Sequence, residues 1–410
     1  MLPQRAVQLA IIMRVCSDLL AGEVIGSTGW TWAHALSALA CGLAVWSLQT
    51  KPPTFQPVER AAFGFLTILC VVGVLRAEDI SGALRGAAQM LSPLLILFAV
   101  RGAAMRPRVW VDTVLLASVL PLGVAMWHAA QGQHLDQLVH GYPRLRGGYL
   151  NYHNLGLTCA LIAPIAAWRA STLRDRLLPA LLCTMIGSAA LYGLGMTWVR
   201  TGWVFLFVAV VVGLLTAREW RTALAIAAFT VLGLALNPVL AERFEDLLLL
   251  VSGQAPDRGW GAIGSSRFAI WREVLDNFYA AGPFAWFVGE GLGQHTAFHS
   301  KGLDPHLDYL ALTLQLGAIG LLSYLTLLVV FARAILTRRS TDVAPLVLGV
   351  FAAALVVNGI SNAFLARPTI AWILFGLIGT VSTATARTRE CTTDPQPQEP
   401  NLRRDHVEHA

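Results

Sequence analysis

The chain has 410 residues, of which 56% are hydrophobic and only 13% charged, with a mean hydropathy of +0.60. A soluble domain carries roughly a quarter charged residues, so this balance excludes an ordinary water-soluble enzyme and points to a chain that lives in lipid. The net charge of +6 does not mark a nucleic-acid binder, because most arginines fall in short connections between apolar runs, where membrane topology explains them.

Apolar runs, many of them long enough to cross a hydrocarbon core about 30 Å thick, recur along the sequence. In chain order they predict spans at 7–25, 29–48, 61–76, 82–100, 109–129, 152–168, 177–196, 199–216, 222–240, 307–332, 344–362 and 367–385. The expected fold is all-α and integral to the membrane, with about twelve transmembrane helices over residues 1–385. The first run reads as a retained helix, since no small-x-small cleavage site follows it before the next apolar run. Between the seventh and eighth spans, Thr197 to Gly202 leave room only for a very short turn.

Alternate connections are basic: Lys51 and Arg60; Arg101, Arg106 and Arg108; Arg169, Arg174 and Arg176; Arg218 and Arg221; Arg333, Arg338 and Arg339. The positive-inside rule places these, and both chain ends, in the cytoplasm. From Arg387 the chain is polar and holds Pro395, Pro397 and Pro400, so residues 386–410 read as a disordered cytoplasmic tail. Five cysteines (Cys16, Cys41, Cys70, Cys159, Cys183) fall in apolar helices and Cys391 in the tail, which argues against a disulfide framework. No Cys/His spacing resembles a zinc site.

Two outer connections are longer, about 130–150 and 241–306. Loops of that length usually carry function. They and their neighbours gather basic residues on the face where the topology rule does not expect them: Arg144, Arg146, Arg200, Arg243, Arg258, Arg267, Arg272, Lys301 and Arg367. Arginine holds phosphate through a planar, permanently charged fork, so such a cluster suits a pyrophosphate-linked lipid. The plainer reading is local pairing with Glu242, Glu245, Asp246, Asp257 and Glu273; Arg144, Arg146, Arg200 and Arg267 lack such a neighbour in sequence.

In the first loop, Arg146-Gly147-Gly148 runs into Asn151, His153 and Asn154 at a helix start, where capping accounts for one asparagine. In the long loop, Phe268, Trp271, Val274 and Leu275 form a helical stripe behind Ser266, a candidate N-cap. It reads as an amphipathic helix on the outer surface, or equally as a small helix packed on the rest of the loop. Gly289, Gly291 and Gly293 follow as a flexible stretch. His295 and His299 have metal-like spacing, but no third ligand completes a set. His306 at the mouth of the tenth span is a candidate general base, with Asp308 near it.

Taken together, these segments resemble the O-antigen ligase/polymerase superfamily of membrane glycosyltransferases. The likeness covers roughly residues 140–330: Arg146-Gly147-Gly148 to Asn151 and Asn154; Thr197, Arg200 and Trp203; Arg267 and Trp271; Gly291 and Gly293; and His306-Leu307-Asp308-Tyr309-Leu310 with Gly317 and Gly320. Val199 stands where the pattern has Ser, and Leu307 where it has Asn. The resemblance implies transfer of a glycan from undecaprenyl pyrophosphate at the periplasmic face of a bacterial inner membrane, without cofactor or metal and with inversion. The acceptor is a lipid A-core sugar hydroxyl in a ligase, another lipid-linked repeat unit in a polymerase, and a protein hydroxyl in a related branch. It implies His306 and Asp308 as catalytic residues, and Arg144, Arg146, Asn151, Asn154, Arg200, Arg267, Arg272 and Tyr309 as substrate-binding ones. A transporter is the alternative of another class, but mid-span charges are sparse and the two halves look dissimilar.

Overall fold

A computed structural model describes residues 2–21, 31–77, 79–133, 135–139, 142–236, 267–338, 341–361 and 367–382. The tail from residue 383, Ser266, Arg243, Arg258 and the four acidic residues at 242–257 lie outside them. Every expected span contains a helix: α1 (Leu2–Ser17), α2 (Trp32–Thr50), α3 (Pro57–Leu75), α4 (Ile80–Gly102), α5 (Pro107–Ala130), α6 (Tyr152–Thr172), α7 (Leu177–Thr197), α8 (Arg200–Thr216), α9 (Trp220–Leu236), α12 (Asp308–Leu336), α13 (Ala344–Asn358) and α14 (Pro368–Ser382). Among the described residues, six of them (α3–α7 and α12) are long and apolar enough to cross a membrane; α8, α13 and α14 are apolar but shorter. This is a multi-pass, predominantly helical membrane protein.

The connection at 130–150 is not all coil. Leu135–Val139 (β1) and Tyr142–Leu145 (β2) pair antiparallel, with an irregular register between Asp136 and Leu138 that accommodates Pro143. Two short helices precede α12, α10 (Arg267–Ala280) and α11 (Pro283–Val288). The amphipathic expectation holds for half of α10's stripe. Val274 and Phe278 are buried against Ala285, Phe298, Leu310 and Leu314, with Trp271 and Leu275 beside them, whereas Phe268 is exposed and leans edge-on against Trp271. The helix therefore packs on its own loop and presents Phe268 and Tyr279 outward.

The starts of α6, α8, α12 and α14 come together, with Val199 against Gly156, Arg367 bonded to Asn154 and the Asp308 charge acting on Arg367; this end is here termed the head end. The opposite end is fastened by ion pairs: Arg101 grips Glu59 through two bonds of 2.8 and 3.0 Å in a nearly closed site, and Arg169 holds Asp112.

The tenth span is not a continuous helix. At Gly317 the backbone turns to φ +66°, ψ −172°, breaking α12 one third of the way along. A break leaves carbonyls with no intrahelical partner, which is costly inside lipid. Here the N–H of Glu290 donates to Leu314 O at 3.0 Å and that of Gly291 to Gln315 O at 3.1 Å, while the Gln315 side chain takes the Gly293 N–H. The glycine-rich stretch at 289–293 is thus a fitted insert rather than a flexible link. Leu292 is fully buried against Gly73, and Arg76 donates to Gly289 O.

Candidate functional site

The head end is built from four helix starts. At α6 the chain turns through Gly147 (φ +61°) and buries Tyr149, and burial together with the nearby Asp18 charge pushes the Tyr149 hydroxyl well above its ordinary pKa. Asn151 accepts from the Asn154 N–H at 2.9 Å, the expected cap. Asn154 has a different duty: its Oδ1 accepts from Arg367 Nε at 2.8 Å. Arg144, only 8% exposed, lies with its guanidinium 4.5 Å over the ring of Tyr152.

At α8 the turn is as short as the sequence allows, with Trp198 left-handed at φ +53° and Val199 in the N-cap position. At α12 the N-cap is Leu307. Both departures from the superfamily pattern therefore fall on helix caps, and neither side chain makes a capping bond. Val199 is instead buried against Gly156 of α6, and Leu307 joins the apolar contact beneath α10.

His306 stands just before α12 with φ +50°, a left-handed conformation that costs a non-glycine residue roughly 1 kcal/mol or more. Asp304 holds it there. Asp304 Oδ1 accepts from the His306 N–H at 2.6 Å and lies 3.7 Å from the ring Nδ1. Asp304 is thus a carboxylate beside the ring that the sequence reading, which named Asp308, did not single out. Asp308 is buried to 1% exposure at the first turn of α12, and it is the leading favourable charge on Arg367. The spacing Asp-Pro-His carried the missed signal, because an Asp two residues before a turn residue can accept its N–H.

Electrostatics show which groups share the space. His153 feels the charges of Arg367, Arg267, Arg144 and His306. Arg267 feels Arg200 and Asp304, and Arg367 feels Asp308, Asp304 and Arg267. Arg144, Arg200, Arg267, His306, Asp308 and Asn154, singled out in sequence, therefore converge, and they bring in Asp304, His153 and Arg367. Burial lowers the Arg267 guanidinium and takes that of Arg367 down to about 10, which leaves Arg367 a cation at neutral pH. Arg267 also donates to Ile360 O at 2.7 Å, which ties α10 to the end of α13.

Neither a known protein family nor a curated protein matches this chain.

Other expected site residues have more modest places. Arg272 is exposed, on a different side of α10 from Arg267. Tyr309 donates to Leu355 O at 3.4 Å and pins α12 to α13. Arg146 is half-buried, and its carbonyl accepts the turn bond from Tyr149 N. His299 serves the loop: its Nδ1 accepts from Lys301 N at 3.0 Å, and Nε2 lies 3.4 Å from Glu273. The Ser300 N–H, donating at 2.6 Å, holds the Glu273 carboxyl below its ordinary range.

What the arrangement offers is a concentration of guanidinium groups around two imidazoles, at the end of a membrane-spanning bundle. Such a site attracts a polyanion, stabilises negative charge that grows on a leaving group, and places an imidazole beside it as a candidate proton acceptor.

Proposed function

We propose that this chain is a membrane glycosyltransferase that moves a glycan from a polyprenyl pyrophosphate carrier to a sugar hydroxyl, acting as an O-antigen ligase. The observation that carries the reading is the gathering of Arg144, Arg267, Arg367 and His306 around His153, with Arg200 beside Arg267, at the head end. The superfamily resemblance supplies the donor and the lipid A-core acceptor. With it go twelve crossings, cytoplasmic termini and a head end that faces the periplasm of a bacterial inner membrane.

The chemistry is a single displacement. The acceptor oxygen forms a bond to the anomeric carbon as the bond from that carbon to the pyrophosphate oxygen breaks, which inverts the centre. The electron pair leaves on the pyrophosphate, and the fixed arginine charges stabilise it there without reorganisation. The hydroxyl proton goes to His306. Asp304 on the Nδ1 side favours the tautomer with hydrogen on Nδ1, which leaves Nε2 as the basic nitrogen. On this account Asp304→Asn lowers the transfer rate about ten- to hundredfold and shifts the pH profile, since the general base has lost its orienting charge. A pH–rate profile of the purified variant checks it; an unchanged profile assigns Asp304 to the backbone turn alone.

Gene deletion with complementation tests the reading. Loss of long chains from lipid A core while carrier-linked polymer accumulates marks a ligase. Collapse to single repeats marks a polymerase of the same superfamily. Complementation by Arg200→Ala or Arg267→Ala at wild-type level would refute the arginine roles. One observation favours a transporter, the broken helix α12, since interrupted spans are common at transport sites. Here the chain's own Glu290 and Gly291 N–H groups fill the break, which leaves those carbonyls unavailable to a passing solute. An unchanged glycan profile in the deletion strain would restore the transport reading.

A further inference from the structure

A cleft of about 330 Å³ lies at the far end of the bundle from the head, between the start of α3 and the last turns of α12. Its volume falls within the range of small-ligand sites. From α12 it is lined by Val330, Arg333, Ala334 and Thr337, and from the start of α3 by Gln56 and Val58. The four lining positions at the end of α12 are spaced i, i+3, i+4 and i+7, so they form one stripe along one side of the helix. The adjoining stripe, Leu327, Leu328, Phe331 and Ile335, is buried in the core and fixes the rotation of α12 about its axis.

The lining has two characters. Val58, Val330 and Ala334 make an apolar wall, and Gln56, Arg333 and Thr337 supply polar groups. Val330 lies about 10 Å inside Thr337 along the helix axis, so the cleft spans the depth at which α12 passes from hydrocarbon to water. Its charge is unanswered. Arg333 is exposed, and its guanidinium makes no hydrogen bond or ion pair among the described residues; the same is true of Arg60, one turn along from Gln56. Glu59, the nearest carboxylate in the chain, serves neither. It is buried to 1% exposure, gripped by Arg101 through both oxygens, and accepts from the Gln56 N–H at 3.0 Å.

An exposed arginine alone means little. Beside a shaped apolar wall at interfacial depth it selects a ligand with both characters, a phosphate that carries an acyl chain. A free phosphate leaves the wall uncovered. A zwitterionic headgroup brings an ammonium toward two cations, Arg333 and Arg60. A headgroup that ends in hydroxyls fits better: the Thr337 hydroxyl donates to Ala334 O at 3.0 Å, which leaves its lone pairs to accept, and the Gln56 carboxamide can do either.

We propose that this cleft binds an anionic phospholipid of the phosphatidylglycerol type, with its phosphate on Arg333, its headgroup hydroxyls on Thr337 and Gln56, and the first carbons of an acyl chain along Val58, Val330 and Ala334. Bound there, the lipid bridges α3 and α12 at the end opposite the contact made by Arg76 and Leu292. It therefore steadies the helix whose other end carries His306. The inference is independent of the glycosyl-transfer reading.

The test uses the full chain in a neutral detergent, titrated with dioctanoyl-phosphatidylglycerol or dioctanoyl-phosphatidylcholine. Bound lipid is counted by native mass spectrometry, and the melting temperature is followed in parallel. Wild type takes up phosphatidylglycerol at lower concentration than phosphatidylcholine and melts higher in its presence, as a ligand of the folded state requires. Arg333→Gln weakens phosphatidylglycerol by about tenfold, the worth of a charge-assisted hydrogen bond, and removes the extra melting shift. Arg333→Lys, which keeps the charge but not the fork, falls between. Because Arg333 is exposed and unpaired, its replacement leaves the fold intact. Arg174→Gln removes another exposed arginine of the same end, outside the lining, and leaves binding as it was. Equal affinity for the two lipids overturns the proposal, as does wild-type binding by Arg333→Gln. An equal loss in Arg174→Gln also overturns it, since the lipid would then follow total charge. Displacement of phosphatidylglycerol by excess inorganic phosphate does so too, because the acyl wall would then contribute nothing.

Discussion

His306→Asn abolishes glycan transfer, by about 10²–10⁴-fold, while the protein inserts and accumulates as wild type does. Asparagine is the informative replacement. The backbone at this position is left-handed, φ +50°, and Asn accepts that conformation with less strain than most residues. It keeps the N–H that Asp304 receives and removes only the imidazole. His306→Ala combines loss of the base with added strain of about 1 kcal/mol, so a small drop in thermal stability accompanies its loss of activity. Measurement of transfer from a carrier-linked donor, alongside a melting curve in detergent, separates the two effects. Transfer by His306→Asn within a few-fold of wild type would sink the general-base role, and the arginine cluster would then act by electrostatics alone.

The second large effect is on the fold. Gly317→Ala places a methyl group 2.2 Å from the carbonyl of Phe287 and asks a side-chain residue to sit at φ +66°. Relief requires either straightening α12, which leaves the Glu290 and Gly291 N–H groups without their acceptors, or expelling α11 and the 289–293 insert, which leaves Leu314 O and Gln315 O bare. Each unsatisfied carbonyl in lipid costs several kcal/mol, comparable with the whole stability of a domain, so the variant is expected to be degraded or aggregated. The same holds for Gly289→Ala, whose methyl would meet the Gln315 backbone at 2.4 Å. Expression level and gel filtration check both. Gly42→Ala and Gly195→Ala, with no atom inside 4 Å of the added carbon, are the matched controls.

Much of this architecture was legible in the residues. Each expected span meets a helix, most within a few residues, because lipid leaves a chain few alternatives, although α1 runs from Leu2 to Ser17 rather than over 7–25. The break in α12 was not, since its cause is tertiary. Gly317 lies in an apolar stretch that reads as continuous helix, and only the approach of residues 287–291 from earlier in the chain makes the break affordable. The hairpin at 135–145 was missed because Leu135-Asp136-Gln137-Leu138-Val139 shows no clean alternation. At the site, the residue types were readable but their pairings were not. Arg367 was seen as an out-of-place cation, yet nothing in sequence joins it to Asn154 across 213 positions. Asp308 drew attention over Asp304 because it belongs to the motif; the turn geometry favours Asp304. Arg272 looked equivalent to Arg267, and five residues along a helix turned it away from the cluster.

The insert at 289–293 bears on how the molecule enters the membrane. A helix whose interrupted carbonyls are answered by an earlier segment cannot partition into lipid as an independent unit. On leaving the translocation machinery, α12 would carry bare acceptors at Leu314 and Gln315 unless α11 and the glycine stretch accompanied it. Biogenesis therefore has a coupling step: residues 283–336 enter together as one folded hairpin, docked on α3 through Arg76 and Leu292, which is already in place. The mouth of α12 is placed in that same event, and Arg367 joins it only when the last helix follows.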